Sequence, residues 1–361
     1  MDRLPGLDEE EAMGMAEHGG QVLSIEELAR ETGLEESLLR FYESEYGAEL
    51  PEKILRGGGL FFAPQAVESF RALHARCRLA RAANPEGRIG VAGGFARVVA
   101  VTSGKGGVGK SNLTLNLAIE LQRLGKRCLV LDADMGMANV HLLAGLRPSL
   151  DIMSVLNGQA EIAEVIMQGP EGIGVIPGGG GIARLADSTR PERLRIVRAL
   201  EGVERNADFI LLDTGAGMSS AVRDFLITAD DVLFVLTPDI TSLADAYGLL
   251  KTLHRERSMA DRSISSVINM VHSLQEAADV ARRFSECARQ FLGLSVTSVG
   301  YIMKDATVGA ATFRRTPYTV FRPMARVSVN TRNVAKALLQ GERDGSRLSS
   351  SFGRYLKLLQ E

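Results

Sequence analysis

An α/β fold with a mostly parallel, doubly wound sheet is predicted for the larger part of this chain, with a small, mainly helical unit in front of it. Three observations carry the prediction. Apolar runs at 97–102, 128–131, 209–212, 232–236, 267–268 and 299–302 alternate with helix-like segments, which argues a sheet covered on both faces. The first run leads straight into a glycine-rich loop. Residues 22–76 have a different texture, two short helical patterns around a glycine.

Composition narrows the classes. The chain has 361 residues, 45% of them hydrophobic, enough for two or three folded units. A net charge of −2 argues against a globally basic nucleic-acid binder. Cys77, Cys128 and Cys287 lie far apart with no C-x-x-C, so neither a disulfide framework nor a zinc or iron–sulfur site is indicated, and incidental thiols in a reducing cytoplasm are expected. His18, His74, His141, His254 and His272 show no ligand spacing. With no 18-residue apolar run and no signal peptide, a chain that is neither spanning nor exported is expected.

In chain order, residues 1–21 are acidic and aperiodic and are expected to be a disordered tail. In residues 22–76, Ser24 and Glu27 form a capping box, Ile25, Leu28 and Ala29 make a short apolar face, Gly33 ends the helix, and Leu34, Leu38 and Phe41 begin a second. This string resembles the MerR-type winged helix-turn-helix, with Arg56 to Phe62 where that family has its wing. Its charge opposes DNA binding: Arg30, Arg40, Lys53, Arg56, Arg71 and Arg76 face ten Glu between Glu26 and Glu68. Glu35 and Glu36 stand at the start of the presumed recognition helix, where phosphate repulsion is worst. A module that docks a protein partner is the favoured reading, with DNA the alternative. Residues 77–96, Ala-rich with Pro85 and several glycines, read as a linker.

Residues 97–341 carry the chemistry. Arg97 to Thr102 reads as a buried strand, and Gly104-Lys105-Gly106-Gly107-Val108-Gly109-Lys110-Ser111 satisfies G-x-x-x-x-G-K-[ST]. A helix follows, with Leu117, Leu121 and Leu124 on one face. Polyphosphate needs inward backbone N–H groups, a helix N-terminus and a cation. Lys110 is that cation, and the Ser111 hydroxyl is placed to hold Mg²⁺. A second lysine, Lys105, is not required by phosphate cradling. The loop therefore resembles the deviant Walker A motif of the MinD/ParA family of ATPases, K-G-G-x-G-K-[ST]. The resemblance implies that ATP and Mg²⁺ are bound by Gly104 to Asn112, and that Lys105 reaches the partner's nucleotide in an ATP-bound homodimer.

The next strand, Cys128 to Leu131, ends in Asp132-Ala133-Asp134, at the carboxyl edge where open α/β sheets gather ligands. By resemblance these are switch I aspartates, Asp132 near the metal and Asp134 orienting the attacking water; a helix N-cap role for Asp134 is compatible. Phe209 to Leu212 ends in Asp213, which fits a Walker B carboxylate on Mg²⁺. Thr214 to Met218 follows as a mobile switch II whose two glycines permit rearrangement. Asn269 stands where the family reads adenine, or else simply ends its strand in a turn.

Ile176 to Ile182, Leu212 to Gly217 and Thr237 to Tyr247 are similar to the FlhG/FleN branch, which regulates flagellar number and placement. The resemblance spans Val98 to about Leu339 and implies a cytoplasmic ATPase peripherally attached to the inner face of the cell membrane. The N-terminal region departs from it, because a MerR-like unit replaces the short activation helix of that branch. Other readings are a ParA-type DNA-segregation ATPase, an ATP-switched transcription regulator, and an iron–sulfur scaffold or nitrogenase-type reductase that the missing cysteine pair disfavours.

In residues 342–361, Leu348, Phe352, Tyr355, Leu356 and Leu359 form one helical stripe beside Arg347, Arg354 and Lys357. Two readings stay open. The stripe is a membrane-targeting helix, or a terminal helix packed on the core.

Overall fold

The structure is a computed structural model of the chain. It describes residues 22–34, 36, 39–40, 43, 50–51, 53–56, 59–73, 95–134, 138–179, 190–217, 219–255, 262–340 and 350–358. The tail at 1–21, Glu35, Leu38, Phe41, Cys77, most of the linker, Leu348 and Leu359 lie outside these residues. Two compact units divide the chain, Met1–Pro85 and Glu86–Glu361.

In the first unit, β1 (Leu23–Ser24) runs into α1 (Ile25–Thr32), which opens with the capping box: the Ser24 N–H donates to Glu27 Oε2 at 2.8 Å, and the Glu27 N–H to Ser24 Oγ at 3.3 Å. The expected wing is an antiparallel hairpin of β2 (Lys53–Arg56) and β3 (Gly59–Phe62), with β1 on the other side of β3. Ile25, Leu28, Leu39, Phe62, Phe70 and Leu73 make its core, where Phe62 meets Phe70 edge to face at 5.4 Å.

The second unit is an eight-stranded sheet in the order β11-β10-β9-β4-β8-β5-β7-β6. The strands are β4 (Arg97–Thr102), β5 (Cys128–Ala133), β6 (Met167–Gln168), β7 (Gly174–Ile176), β8 (Phe209–Thr214), β9 (Asp231–Leu236), β10 (Ser263–Val271) and β11 (Thr297–Met303). Every pairing is parallel except the short antiparallel β6–β7 edge. All residues of β4, β5, β8 and β9 are buried, as strands sandwiched between helices must be. Two apolar layers result. One holds Leu117 and Leu121 of α2 (Lys110–Arg123); the other holds Ile196 and Leu200 of α3 (Arg190–Val203) and Phe225 of α4 (Ser220–Thr228).

Arg97 is buried at the foot of β4, where it is fully engaged. It donates twice to the Asp231 carboxylate, at 2.6 and 3.0 Å, and once to the Leu338 carbonyl at 2.7 Å. Such bidentate pairing is what makes a buried guanidinium tolerable.

The described part of the C-terminal stripe follows the second of its two readings, packing on the core. In α5 (Ser351–Leu358) Phe352 is fully buried and Leu356 packs on the same layer, with α5 lying against α3 and α4. The buried Glu204 carboxylate anchors its start, accepting the Ser351 N–H at 2.6 Å and the Ser350 hydroxyl, while Arg354 pairs with Asp230. The described part of the stripe is therefore core surface. Among the described residues no helix is long and apolar enough to cross a membrane.

Candidate nucleotide-binding site

Residues 103–109 form the loop between β4 and α2, at the carboxyl edge of the central strands. The chain turns at Gly109, whose φ of +85° is left-handed; a Cβ there would fall 2.5 Å from the Asn269 amide nitrogen. A side chain at Gly104 would strike the backbone of Asp245 and Ala246. Val108 is buried, and Lys110, Ser111 and Asn112 occupy the first turn of α2.

Lys110 does not point into water. Its ammonium donates to Asp213 Oδ1 at 2.9 Å, with both side chains at least nine-tenths buried. The Thr114 hydroxyl donates to the same oxygen at 3.3 Å, while Asp213 Oδ2 is buried without a hydrogen-bond partner. Asp132 pairs with Asp213 in the β5–β8 register. Its carboxylate accepts the Val140 N–H at 2.9 Å and the Asp134 N–H at 3.3 Å. Burial, and after it the charge of Asp213, pushes the Asp132 carboxyl up to about 7. Asp134 lies against switch II, its Oδ1 3.4 Å from where a Cβ on Gly215 would be. Switch II touches the loop through the Gly217 N–H, which donates to the Ser103 carbonyl at 3.2 Å.

Two expected roles acquire detail. Asn269 braces the loop: its amide donates to the Val108 carbonyl at 2.7 Å and accepts the Met270 N–H at 2.9 Å, which leaves one N–H of the amide. Lys105 is held within its own chain, pairing with Asp239 and donating to Thr241 Oγ1 at 2.8 Å. The Lys105 hydrogen bond, then that from the Thr241 N–H, draws Asp239 down to about 2. The sequence reading gave Asp239, Thr241 and Thr114 no role. The only signal for the first two was their place just past the end of β9, on the carboxyl edge of the sheet.

The arrangement offers a glycine loop at a helix N-terminus, a buried lysine and a partner-poor carboxylate oxygen. Among the described residues no three His, Cys, Asp or Glu side chains converge as a ready metal site. Together with the parallel sheet, these features define a P-loop mononucleotide-binding protein.

Comparison with known proteins agrees. The AAA domain profile matches residues 96–266, and the profile of MerR HTH family regulatory proteins matches residues 23–75. The antiactivator FleN of Pseudomonas aeruginosa is 35% identical over 241 residues, covering 66% of this chain and 85% of that protein. The flagellum site-determining protein YlxH of Helicobacter pylori is 31% identical, covering 74% and 92%. In structure, the septum site-determining protein MinD of Pyrococcus horikoshii, solved with Mg-ADP, superposes with a TM-score of 0.57 at 22% identity, over 68% of this chain and 98% of that one. The chain belongs to the MinD/ParA-type deviant Walker A P-loop ATPases, in the FlhG/FleN branch, with a MerR-like helix-turn-helix unit in front.

Proposed function

We propose that this chain is an ATP-binding and hydrolysing dimerisation switch, acting in the cytoplasm, that regulates the number or placement of flagella. The observation that carries the reading is the loop itself: Lys110 and a second lysine, Lys105, in one glycine-rich turn facing Asp132, Asp134 and Asp213. The site's residues fit Mg²⁺–ATP, since Asp213 Oδ2 has no hydrogen-bond partner and the turn at Gly109 admits no side chain.

In this reading the N–H groups of Gly104 to Asn112 cradle the phosphates, and Lys110 leaves Asp213 for the outer ones. Ser111, Asp213 and Asp132 are the groups that hold the metal. Bound Mg²⁺ supplies positive charge against the phosphate oxygens as the phosphoryl bond loosens. Asp134 accepts a hydrogen bond from the attacking water and fixes its line of approach. The remaining Asn269 N–H is available to the base. Lys105 leaves Asp239 to reach the partner's phosphates, making nucleotide part of the dimer interface. The N-terminal unit is a docking module for a protein partner. Peripheral attachment to the inner face of the cell membrane belongs to this reading, and because Phe352 is fully buried and Leu356 half-buried, that attachment does not run through these two side chains as they are packed.

The test is Asp134→Ala. It should bind ATP as the wild type does, lose hydrolysis, and accumulate as dimer in sedimentation with ATP. A variant that hydrolyses ATP normally and stays monomeric would remove Asp134 from this role.

A further inference from the structure

One turn beyond Lys110 in α2 stands Thr114, among Leu113, Leu115, Leu117 and Ala118, all of which are buried in one apolar layer. Its own side chain is fully buried. A hydroxyl in such a place costs stability unless it is hydrogen-bonded, and threonine is a poorer helix former than alanine or leucine. Packing alone would favour an apolar residue here.

The hydroxyl has one proton to give and two acceptors within reach. The Lys110 carbonyl lies at 3.0 Å and Asp213 Oδ1 at 3.3 Å. The carbonyl does not depend on it, because in an α-helix that oxygen already accepts the Thr114 N–H. Asp213 Oδ1 does not depend on it either while the Lys110 ammonium sits there at 2.9 Å. Among the described residues these two side chains, Lys110 and Thr114, are the donors to Asp213, and Oδ2 has none. Once Lys110 turns to phosphate, Thr114 is the donor that remains.

We propose, on the nucleotide reading above, that Thr114 is a positioning residue for Asp213. As Lys110 leaves, the Thr114 hydroxyl turns its proton from the Lys110 carbonyl to Asp213 Oδ1, which fixes the carboxylate by that oxygen and leaves Oδ2 for the metal. An ionised oxygen is the stronger acceptor of the two, so the exchange is downhill. Both distances belong to one rotamer, and only the O–H bond has to rotate. The Lys110 carbonyl keeps its helical hydrogen bond throughout, so the exchange leaves no buried group unmet.

The test follows the anisotropy of a fluorescent ATP analogue on the full-length protein as MgCl₂ is added, for wild type, Thr114→Val, Thr114→Ala and Thr114→Ser. Valine and alanine differ in shape and share only the missing hydroxyl. Both should need on the order of tenfold more Mg²⁺ for half-maximal binding, the worth of one hydrogen bond to a charged group, while the serine variant stays within about twofold of wild type. In nucleotide-free protein, where Lys110 still holds Asp213, Thr114→Val should melt with the wild type. Hydroxyl-free variants with the wild-type Mg²⁺ requirement would overturn the role of Thr114 and leave the nucleotide reading standing. So would a serine variant as impaired as they are, which would make Thr114 a packing residue. A wild type that binds no analogue at any Mg²⁺ concentration would overturn both.

Discussion

At Lys110 the residue we propose to grip phosphate also neutralises the carboxylate of Asp213. Removing it has two expected effects. Lys110→Ala should abolish nucleotide binding, because phosphate charge in the loop is left uncompensated. It should also leave Asp213 buried beside Asp132 without its cation, costing about 3 kcal/mol or more in nucleotide-free protein. Lys110→Met/Asp213→Asn should recover that stability in thermal melts without recovering binding, so equal melting of the single and double variants would show that the pair is not what matters. Lys105 is different because it is partly exposed and its tie is to Asp239. Lys105→Ala should keep substantial ATP binding as a monomer while losing dimerisation and hydrolysis, and a normal ATP dimer in sedimentation would reduce Lys105 to a surface loop residue. The loop was legible because its chemistry is local, nine residues whose spacing alone makes a phosphate cradle. Its partners were not: Asp213 lies 103 residues from Lys110 and Asp239 lies 134 from Lys105. Only the strand order brings them together.

The long strands and α2 were legible from their apolar runs; β4 coincides with its run, and the other long strands extend beyond theirs, as β8 does from Leu212 to Thr214. The three-residue β7 and two-residue β6 were missed. Neither is long enough to show a period, and β7 is a strand because it pairs with β5 from Leu129 to Leu131. The terminal helix α5 shows the opposite limit. Its stripe was plain in sequence, but an apolar stripe does not say what covers it; the tertiary fold does, through Phe352 and Glu204. Phe352→Ala should therefore cost about 3–5 kcal/mol, read as a lowered midpoint in urea unfolding of nucleotide-free protein. An unchanged midpoint would mean that α5 contributes nothing to the fold.

On the scale of the molecule, the division into two units falls inside the glycine- and alanine-rich stretch at 77–96, and the first unit has its own core around Phe62 and Phe70. What occupies that unit was not legible, because a helix-turn-helix outline with the wrong charge fits more than one partner. The order of strands in the larger unit bears on how the protein is made. β4, the strand that carries the phosphate loop, is flanked by β8 and β9, so both of its neighbours come more than a hundred residues later in the chain. The loop's brace, Asn269, follows Val108 by 161 residues. At a ribosomal rate of about 5–20 residues per second, the loop waits roughly 8–30 s outside the tunnel before its brace has been synthesised. For that interval the nascent chain holds a bare apolar strand and a glycine loop that cannot yet discriminate among anions. The first unit has by then long been complete, so whatever recognises it can meet this protein before the protein is able to meet nucleotide.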